Sequence, residues 1–254
     1  DPPDQSRLAE IIPERRRRAY DVGPLIETLA DSGSAVFLRE AFAPEMVTAF
    51  IRIKGRAVGV IANNPMHMAG AITSEGADKA ARLLQLCDAF GIPVLSLVDT
   101  PGMMVGPEAE ATGLVRHCSR LLVAGASLSV PFVAVITRRG YGLGAQAMVA
   151  GSLHEPLLTG AWPSAELGPM GLEGAVRLGM RRELEKIEDD AERERTVREL
   201  TEMALENAKA LNAASLFELD DVIDPADTRR MVSSTLAAAA TRGPRPPRRF
   251  VDTW

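Results

Sequence analysis

The chain has 254 residues, of which 46% are hydrophobic and only 4% aromatic, and its formal net charge is −5. This length allows one large domain or two small ones, and an apolar content rich in Ala, Leu and Val favours packed α/β layers over an aromatic-rich sandwich. The negative charge argues against a nucleic-acid-binding surface over the whole body, and no run approaches the ~20 apolar residues of a membrane span.

Cysteine usage bears on the compartment. Cys87 and Cys118 are the only cysteines of the sequence. Two thiols are too few for a disulfide framework or a cysteine-based zinc site, and they suit a reducing environment. The N-terminal residues also lack the apolar region of a secretory signal. The sequence therefore predicts a cytoplasmic protein with neither nucleic acid nor membrane as a partner.

The N-terminal residues read as a surface segment. Residues 1–18 contain three prolines and an arginine run without apolar periodicity, which predicts an arm outside the core. A short helix is expected over residues 20–30. The predicted organisation is an arm or linker over residues 1–33, one domain over 34–241 and an extended tail over 242–254, where prolines prevent a helix.

A hairpin and a long helix are expected next. Two runs rich in β-branched residues flank Lys54 and Gly55, which is typical of a β-hairpin. Helical spacing then extends to Phe90, with Ser74 as the expected N-cap and Gly91 as the residue that ends the helix.

The middle of the chain repeats a strand and a helix. Apolar runs at 92–98 and 130–137 predict buried strands, with a helix over 113–126 between them. Such βα units build a parallel sheet, and ligands collect where its strands end and its helices begin. Residues 99–102 and 139–146 lie at two of these ends.

The last third is predicted to be mainly helical. Residues 161–171 suggest a short strand with turns, followed by a helix from about Leu172. Residues 181–211 are rich in Arg, Glu and Ala at helical spacing, which is typical of solvated helical faces.

A glycine-spaced turn follows the second apolar run. Gly140, Gly142 and Gly144 precede a small-residue helix start. The first amide N–H groups of a helix lack helical acceptors and favour a developing negative oxygen. The glycines either clear side chains from an oxyanion hole of main-chain amides or only provide a tight β-to-α connection. The local residues leave both interpretations open.

Several common chemistries lack their motif. The three histidines, His67, His117 and His154, are far apart and no metal-ligand spacing occurs, so no metal site is expected. The sequence has neither the G-x-S-x-G turn of serine hydrolases nor a phosphate-binding P-loop. The alternating glycines also do not match the dinucleotide-binding spacing. After these exclusions, the chemistry that the sequence still allows is one driven by backbone amides.

Six motifs, in order and with compatible spacing, resemble a known family, the carboxyltransferase β subunit of biotin-dependent acyl-CoA carboxylases. The motifs are SEGADKAAR at 74–82, CDAFGIPV at 87–94, VDTPGMMVG at 98–106, TRRGYGLGA at 137–145, AWPSAE at 161–166 and DDVIDPADTR at 220–229. The resemblance implies an α/β fold of the crotonase-like class, a spiral of ββα units. Members normally contain two such domains, and this chain matches only the C-terminal one.

The resemblance also assigns a site. It implies that the peptide N–H groups of Leu143 and Gly144 hold the ureido oxygen of biotin, while a biotin nitrogen removes the α-proton of the acyl thioester. Members have an acid, preceded by an aromatic residue, where this chain has Ala145 and Gln146, so the acyl preference stays open. Asp99 is expected to shape the strand-end loop. Other expected biotin or substrate contacts are Gly142, Ala145, Gln146, Tyr141, Pro101 and Gly102.

The implied function is that of the C-terminal half of a carboxyltransferase component, which transfers a carboxyl group from carboxybiotin to a short acyl-CoA of the acetyl or propionyl class. Expected partners are a biotin carboxyl carrier protein, a biotin carboxylase, further copies of the chain and an N-terminal carboxyltransferase domain. Two alternatives remain: the carboxyltransferase part of a biotin-dependent decarboxylase, and a non-catalytic assembly or carrier-docking module.

Overall fold

A computed structural model describes residues 2–15 and 18–239 of the chain. The strands are β1 (Val36–Leu38), β2 (Met46–Ile53), β3 (Arg56–Asn63), β4 (Val94–Thr100), β5 (Phe132–Tyr141), β6 (Leu158–Ala161), β7 (Glu166–Gly168) and β8 (Asp221–Val222). The helices are α1 (Leu8–Ile11), α2 (Gly23–Leu29), α3 (Ser74–Phe90), α4 (Pro107–Ala111), α5 (Leu114–Ala126), α6 (Gly142–Met148), α7 (Leu172–Gly179), α8 (Arg181–Leu184), α9 (Asp190–Ala208), α10 (Ala210–Ser215) and α11 (Thr228–Ala239).

The strands form one mixed sheet in the order β1-β2-β3-β4-β5-β6-β8, with β7 also paired to β5. The first two pairings are antiparallel and the others are parallel. The predicted hairpin is confirmed, because β2 and β3 pair across Lys54 and Gly55, both with positive φ, as a tight hairpin turn requires. The parallel pairing places the carboxyl ends of β3, β4, β5 and β6 at one edge of the sheet.

Apolar helices cover both faces of the sheet. Helices α3, α5 and α6 pack against one face, where β4 and β5 contribute buried side chains. Helices α1, α2 and α11 pack against the other face, together with the buried Trp162. Every residue of β4 is buried, as expected for a central parallel strand. This arrangement confirms the predicted α/β class with successive βα units.

The expectation that residues 1–18 lie outside the core is wrong within the part of this segment that the structure describes. Leu8 is fully buried and Ile12 is nearly so, and both join the cluster on the second face of the sheet. Helix α1 has only four residues, which is too short for a periodic pattern. The tail predicted over 242–254 lies outside the described residues, and the domain division stays a prediction.

Two element ends differ from expectation. The N-cap of α3 is Thr73, whose hydroxyl accepts the Gly76 N–H at 3.0 Å, and Ser74 is the first helical residue. Gly91 ends α3 in the left-handed conformation, as predicted. Strand β5 continues past Thr137 to Tyr141, because its last residues pair with β7. The chain therefore passes directly from β5 into α6 at Gly142, and Gly140 lies in the strand rather than in the predicted turn.

Among the residues that the structure describes, no helix combines the length and the apolar character needed to cross a membrane.

Candidate functional site

The segments that follow β3, β4 and β5 meet at the carboxyl edge of the sheet. The Ile72 N–H, after β3, donates to the Gly102 carbonyl at 3.0 Å, and the Met104 N–H donates back to the Ile72 carbonyl at 2.9 Å. The first turn of α6, after β5, packs directly on Gly102 through Gly144. The segments 99–102 and 139–146, which were predicted to lie at strand ends, are thus in contact.

The glycines at this edge are required by close packing. Gly142 has φ +57°, and a Cβ added to it would lie 2.7 Å from the Pro169 carbonyl oxygen. A Cβ on Gly144 would lie 2.7 Å from the Cα and the carbonyl carbon of Gly102. At Gly140 the nearest atom would belong to Ile136, at 3.2 Å. Protein atoms occupy the space that a side chain would need at these glycines, which favours the interpretation as a tight β-to-α connection, and the oxyanion role of the neighbouring amides stays a prediction.

Gly144→Ala is expected to destabilise the protein by about 1–3 kcal/mol, because the added methyl group overpacks the contact between α6 and Gly102. Gly179→Ala is the matched control, since its Cβ would meet nothing within 4 Å and alanine favours a helix. Urea unfolding of both variants measures the difference. Equal stability of the two variants would show that the α6 contact with Gly102 is loose.

The first turn of α6 contains the peptide N–H groups of Leu143 and Gly144. Leu143, the second helical residue, is 61% exposed, whereas Gly144, which follows it, is buried. The N–H groups of a first helical turn have no acceptor within the helix. Within the described part of the chain, no side chain caps this helix. Amides in such a position are the kind of donor that a negatively charged oxygen prefers, and their role in this chain stays a prediction.

The other predicted contacts divide into three groups by exposure. Gln146 is exposed, three residues after Leu143 and thus on the same side of α6. Gly102 and Ala145 are buried. Tyr141 is also buried, and its hydroxyl donates to Glu166 Oε2 at 2.6 Å. Pro101 and Gly142 are partly buried. The structure brings Gly102, Leu143 and Gly144 together and turns the Tyr141 side chain to the interior.

A buried ionic network lies directly behind this edge. Asp99 is 1% exposed, and its carboxylate accepts from Arg138 Nε at 2.8 Å and from Arg139 Nε at 2.7 Å. The ring of Tyr20 lies 4.8 Å from the Arg138 guanidinium carbon. Burial and the nearby Asp99 charge raise the pKa of Tyr20, so its hydroxyl keeps its proton. The sequence signals were an Asp at the end of one apolar strand and an arginine pair at the end of the next.

The environments of the cysteines and histidines bear on other kinds of nucleophile and on metal binding. Burial raises the pKa of Cys87 to about 12 and that of Cys118 to about 11, so both remain thiols at neutral pH. His117 Nδ1 lies 2.8 Å from Asp78 on the helical layer, and the His154 ring stacks on Phe217. Over residues 2–15 and 18–239, no group of His, Cys, Asp and Glu has a metal-binding arrangement.

The sequence model of the carboxyl transferase domain family matches residues 1–251. The chain belongs to this family. It is 40% identical over 230 residues to the carboxyltransferase subunit of propionyl-CoA carboxylase from Haloferax mediterranei, covering 90% of this chain and 44% of the relative. The chain thus spans less than half the length of that relative.

Two solved structures of family members share the fold. One is a single-chain, multi-domain long-chain acyl-CoA carboxylase, with a TM-score of 0.86 and 48% identity over 92% of this chain and 23% of the other. The second is transcarboxylase 12S, described as a hexamer with methylmalonyl-CoA and methylmalonic acid bound. It has a TM-score of 0.87 and 36% identity over 98% of this chain and 48% of the other. The expected crotonase-like α/β fold is confirmed.

Proposed function

We propose that this chain is the C-terminal half of a carboxyltransferase component, which transfers a carboxyl group from carboxybiotin to an acyl-CoA. The observation that carries the proposal is the uncapped start of α6, packed on the loop after β4, in a chain that matches the family over residues 1–251. The exposure of Leu143 supports a position of this helix start at the surface of the protein.

The donor set fits the proposed role in chemical terms. The N–H groups of Leu143 and Gly144 are neutral hydrogen-bond donors fixed by the backbone, and they suit the ureido oxygen of biotin as it gains negative charge. Bound carboxybiotin supplies the carboxyl group and the nitrogen base. The chain's own part is to hold that oxygen without reorganisation.

The same two amides do not supply a whole active site. One oxyanion donor is typically worth about 2.7–4 kcal/mol, whereas enzymes lower barriers by about 8–23 kcal/mol. We therefore propose that an N-terminal carboxyltransferase domain provides the acyl-CoA site. The share of relatives that this chain spans, 44% in one case, supports that division.

The proposed partners follow from the same chemistry. A carrier protein delivers carboxybiotin, a biotin carboxylase loads it, and further copies of the chain complete the assembly. The transcarboxylase 12S relative is described as a hexamer and a multienzyme core, which supports such an assembly. The cytoplasm is the proposed location, in keeping with two free, buried thiols.

The acyl group is proposed to be short, of the acetyl or propionyl class. A relative named for propionyl-CoA supports this class. Because the chain is also 48% identical to a long-chain acyl-CoA carboxylase, the length of the acyl chain is the property that the experiment has to vary. Gln146, exposed beside Leu143, is the proposed pocket residue.

An acyl-CoA series with the reconstituted complex tests the proposal. Acetyl-CoA, propionyl-CoA and a long-chain acyl-CoA are assayed with biotin carboxylase, loaded carrier and an N-terminal domain, and carboxylation is followed by fixation of labelled bicarbonate. The expected result is the largest kcat/KM for acetyl- or propionyl-CoA. A larger kcat/KM for the long-chain acyl-CoA would change the proposed substrate class and leave the proposed carboxyl transfer in place.

Two other outcomes of this assay reject the proposal. Carrier binding without carboxylation of any acyl-CoA would favour a docking module. Loss of CO2 from the carboxylated acyl-CoA, with no carboxylation of any acyl-CoA, would favour a decarboxylase.

A further inference from the structure

The carboxylate of Asp99 joins the ends of two neighbouring strands. Asp99 lies on β4, and its two carboxylate oxygens receive Arg138 Nε at 2.8 Å and Arg139 Nε at 2.7 Å from β5. The Arg139 peptide N–H also donates to Asp99, at 3.3 Å. Strand pairing between β4 and β5 is irregular at this point, between Val98 and Thr100. The carboxylate thus fixes the two chains where the regular ladder is interrupted.

The same residue also holds the segment after β3. Its peptide N–H donates to Asn63 Oδ1 at 3.2 Å, and Arg139 reaches on to donate to the Ala69 carbonyl at 2.8 Å. Met68 and Ala69 both adopt positive φ, 46° and 54°, a conformation that costs energy in residues other than glycine. Surrounding contacts must maintain such a turn, and Arg139 provides one of them.

A further contact reaches the N-terminal segment on the other side of the sheet. Arg138 donates to the Arg18 carbonyl at 2.8 Å, and its guanidinium lies over the ring of Tyr20. Three other stretches of chain are therefore tied to the carboxylate on β4, directly or through one arginine.

Thr100 and Gly102 connect Asp99 to the proposed donor pair, Leu143 and Gly144. Thr100, the next residue, donates its hydroxyl to the Gly102 carbonyl at 3.1 Å and accepts the Gly102 N–H at 3.1 Å. Gly102 is the residue on which Gly144 packs. A displacement at Asp99 therefore moves the surface that supports the first turn of α6.

The contacts of Asp99 with the two arginines depend on the charge of its carboxylate. Asp99 and Arg138 are both at least 95% buried, and Arg139 is largely buried, so one carboxylate separates two guanidinium groups in a medium of low polarity. Removal of the carboxylate charge takes away the anion that the two guanidinium groups share and leaves their mutual repulsion. The arginines then have to move apart, and the segments they hold move with them.

We infer that Asp99 is a positioning residue, which acts through Arg138 and Arg139 to hold the loop after β4 and the start of α6 in the geometry needed for carboxyl transfer. This inference rests on the proposed function for its catalytic part. Its structural part concerns the chain alone.

The test compares Asp99→Asn with Arg139→Gln and with Asp31→Asn as a matched control. Arg139→Gln removes the bonds to Asp99 and Ala69 at a more exposed position, so it keeps the test valid if Asp99→Asn does not fold. Asp31 also pairs with an arginine, Arg229, and accepts two peptide N–H groups, but it lies at the hairpin turn, away from the carboxyl edge of the sheet.

Hydrogen exchange and steady-state kinetics are measured on the full chain and on the reconstituted complex. In Asp99→Asn and Arg139→Gln, exchange within residues 100–104 and 138–148 is expected to rise at least about tenfold. The kcat is expected to fall by about 10²-fold, with the KM for acyl-CoA within about threefold of wild type. Asp31→Asn is expected to raise exchange near residues 54–55 only.

Each result decides the matter. Unchanged exchange in both segments overturns the inference, and so does raised exchange with unchanged kcat, since Asp99 then has a structural role alone. If the wild-type complex transfers no carboxyl group, the proposed function fails, and the exchange data still decide whether Asp99 holds these segments.

Discussion

Leu143→Pro is expected to lower the rate of carboxyl transfer by about 10²–10³-fold, whereas Leu143→Ala stays close to wild type. Proline removes the peptide N–H that is proposed to hold the ureido oxygen. It is tolerated in the first turn of a helix, where the N–H has no helical acceptor, and Leu143 is the second residue of α6. The exposed leucine side chain contributes little packing, so both variants should fold.

The alanine variant separates the amide from the side chain. Rates are measured in the reconstituted complex, and the melting temperature of each variant is recorded beside them. Equal losses in Leu143→Ala and Leu143→Pro would assign the effect to the leucine side chain. A proline variant with wild-type rate and stability would contradict the proposed donor pair.

The second large effect is expected from complementation. The chain alone is expected to show no measurable transfer, and addition of an N-terminal carboxyltransferase domain is expected to raise the rate at least about 10³-fold. The reason is energetic: two amides supply about 5–8 kcal/mol, which falls short of most of the range of about 8–23 kcal/mol by which enzymes lower barriers, and each ~1.36 kcal/mol corresponds to a factor of ten. Fixation of labelled bicarbonate into acyl-CoA measures the rate.

Two controls define this experiment. The N-terminal domain alone must be inactive, and the same domain combined with Leu143→Pro must show the loss expected above. Rapid transfer by the chain without any added domain would contradict the division of labour, because this chain would then hold a complete acyl-CoA site.

Much of the fold follows from local signals. The β2–β3 hairpin could be predicted from two β-branched runs separated by Lys54 and Gly55. In the structure both of these residues adopt the positive φ that a tight hairpin turn requires. Helix α3 was evident from its 17-residue apolar spacing and its closing Gly91. These features depend on residues close together in sequence, so one chain suffices to predict them.

The packing partners of the site do not follow from local signals. Gly144 contacts Gly102, and a glycine pattern does not tell a ligand from a neighbouring backbone as the group that needs the space. Burial of Leu8 was missed for a similar reason, since helix α1 is too short to show a period.

The ionic network shows the same limit. An Asp at the end of an apolar strand signals a buried charge, but its partners depend on the register of β4 against β5. That register is irregular beside Asp99 and cannot be read from either strand by itself. The candidate residues could be predicted, whereas the contacts that position them could not.

The outermost strands of the sheet have a consequence for assembly. On the described residues, β1 has three residues and β8 has two, so the sheet offers few unpaired backbone groups along its margins. Strand addition from a second molecule needs a longer open border than this. A second molecule that binds this chain is therefore expected to contact side chains of helices and loops, where recognition depends on shape and charge.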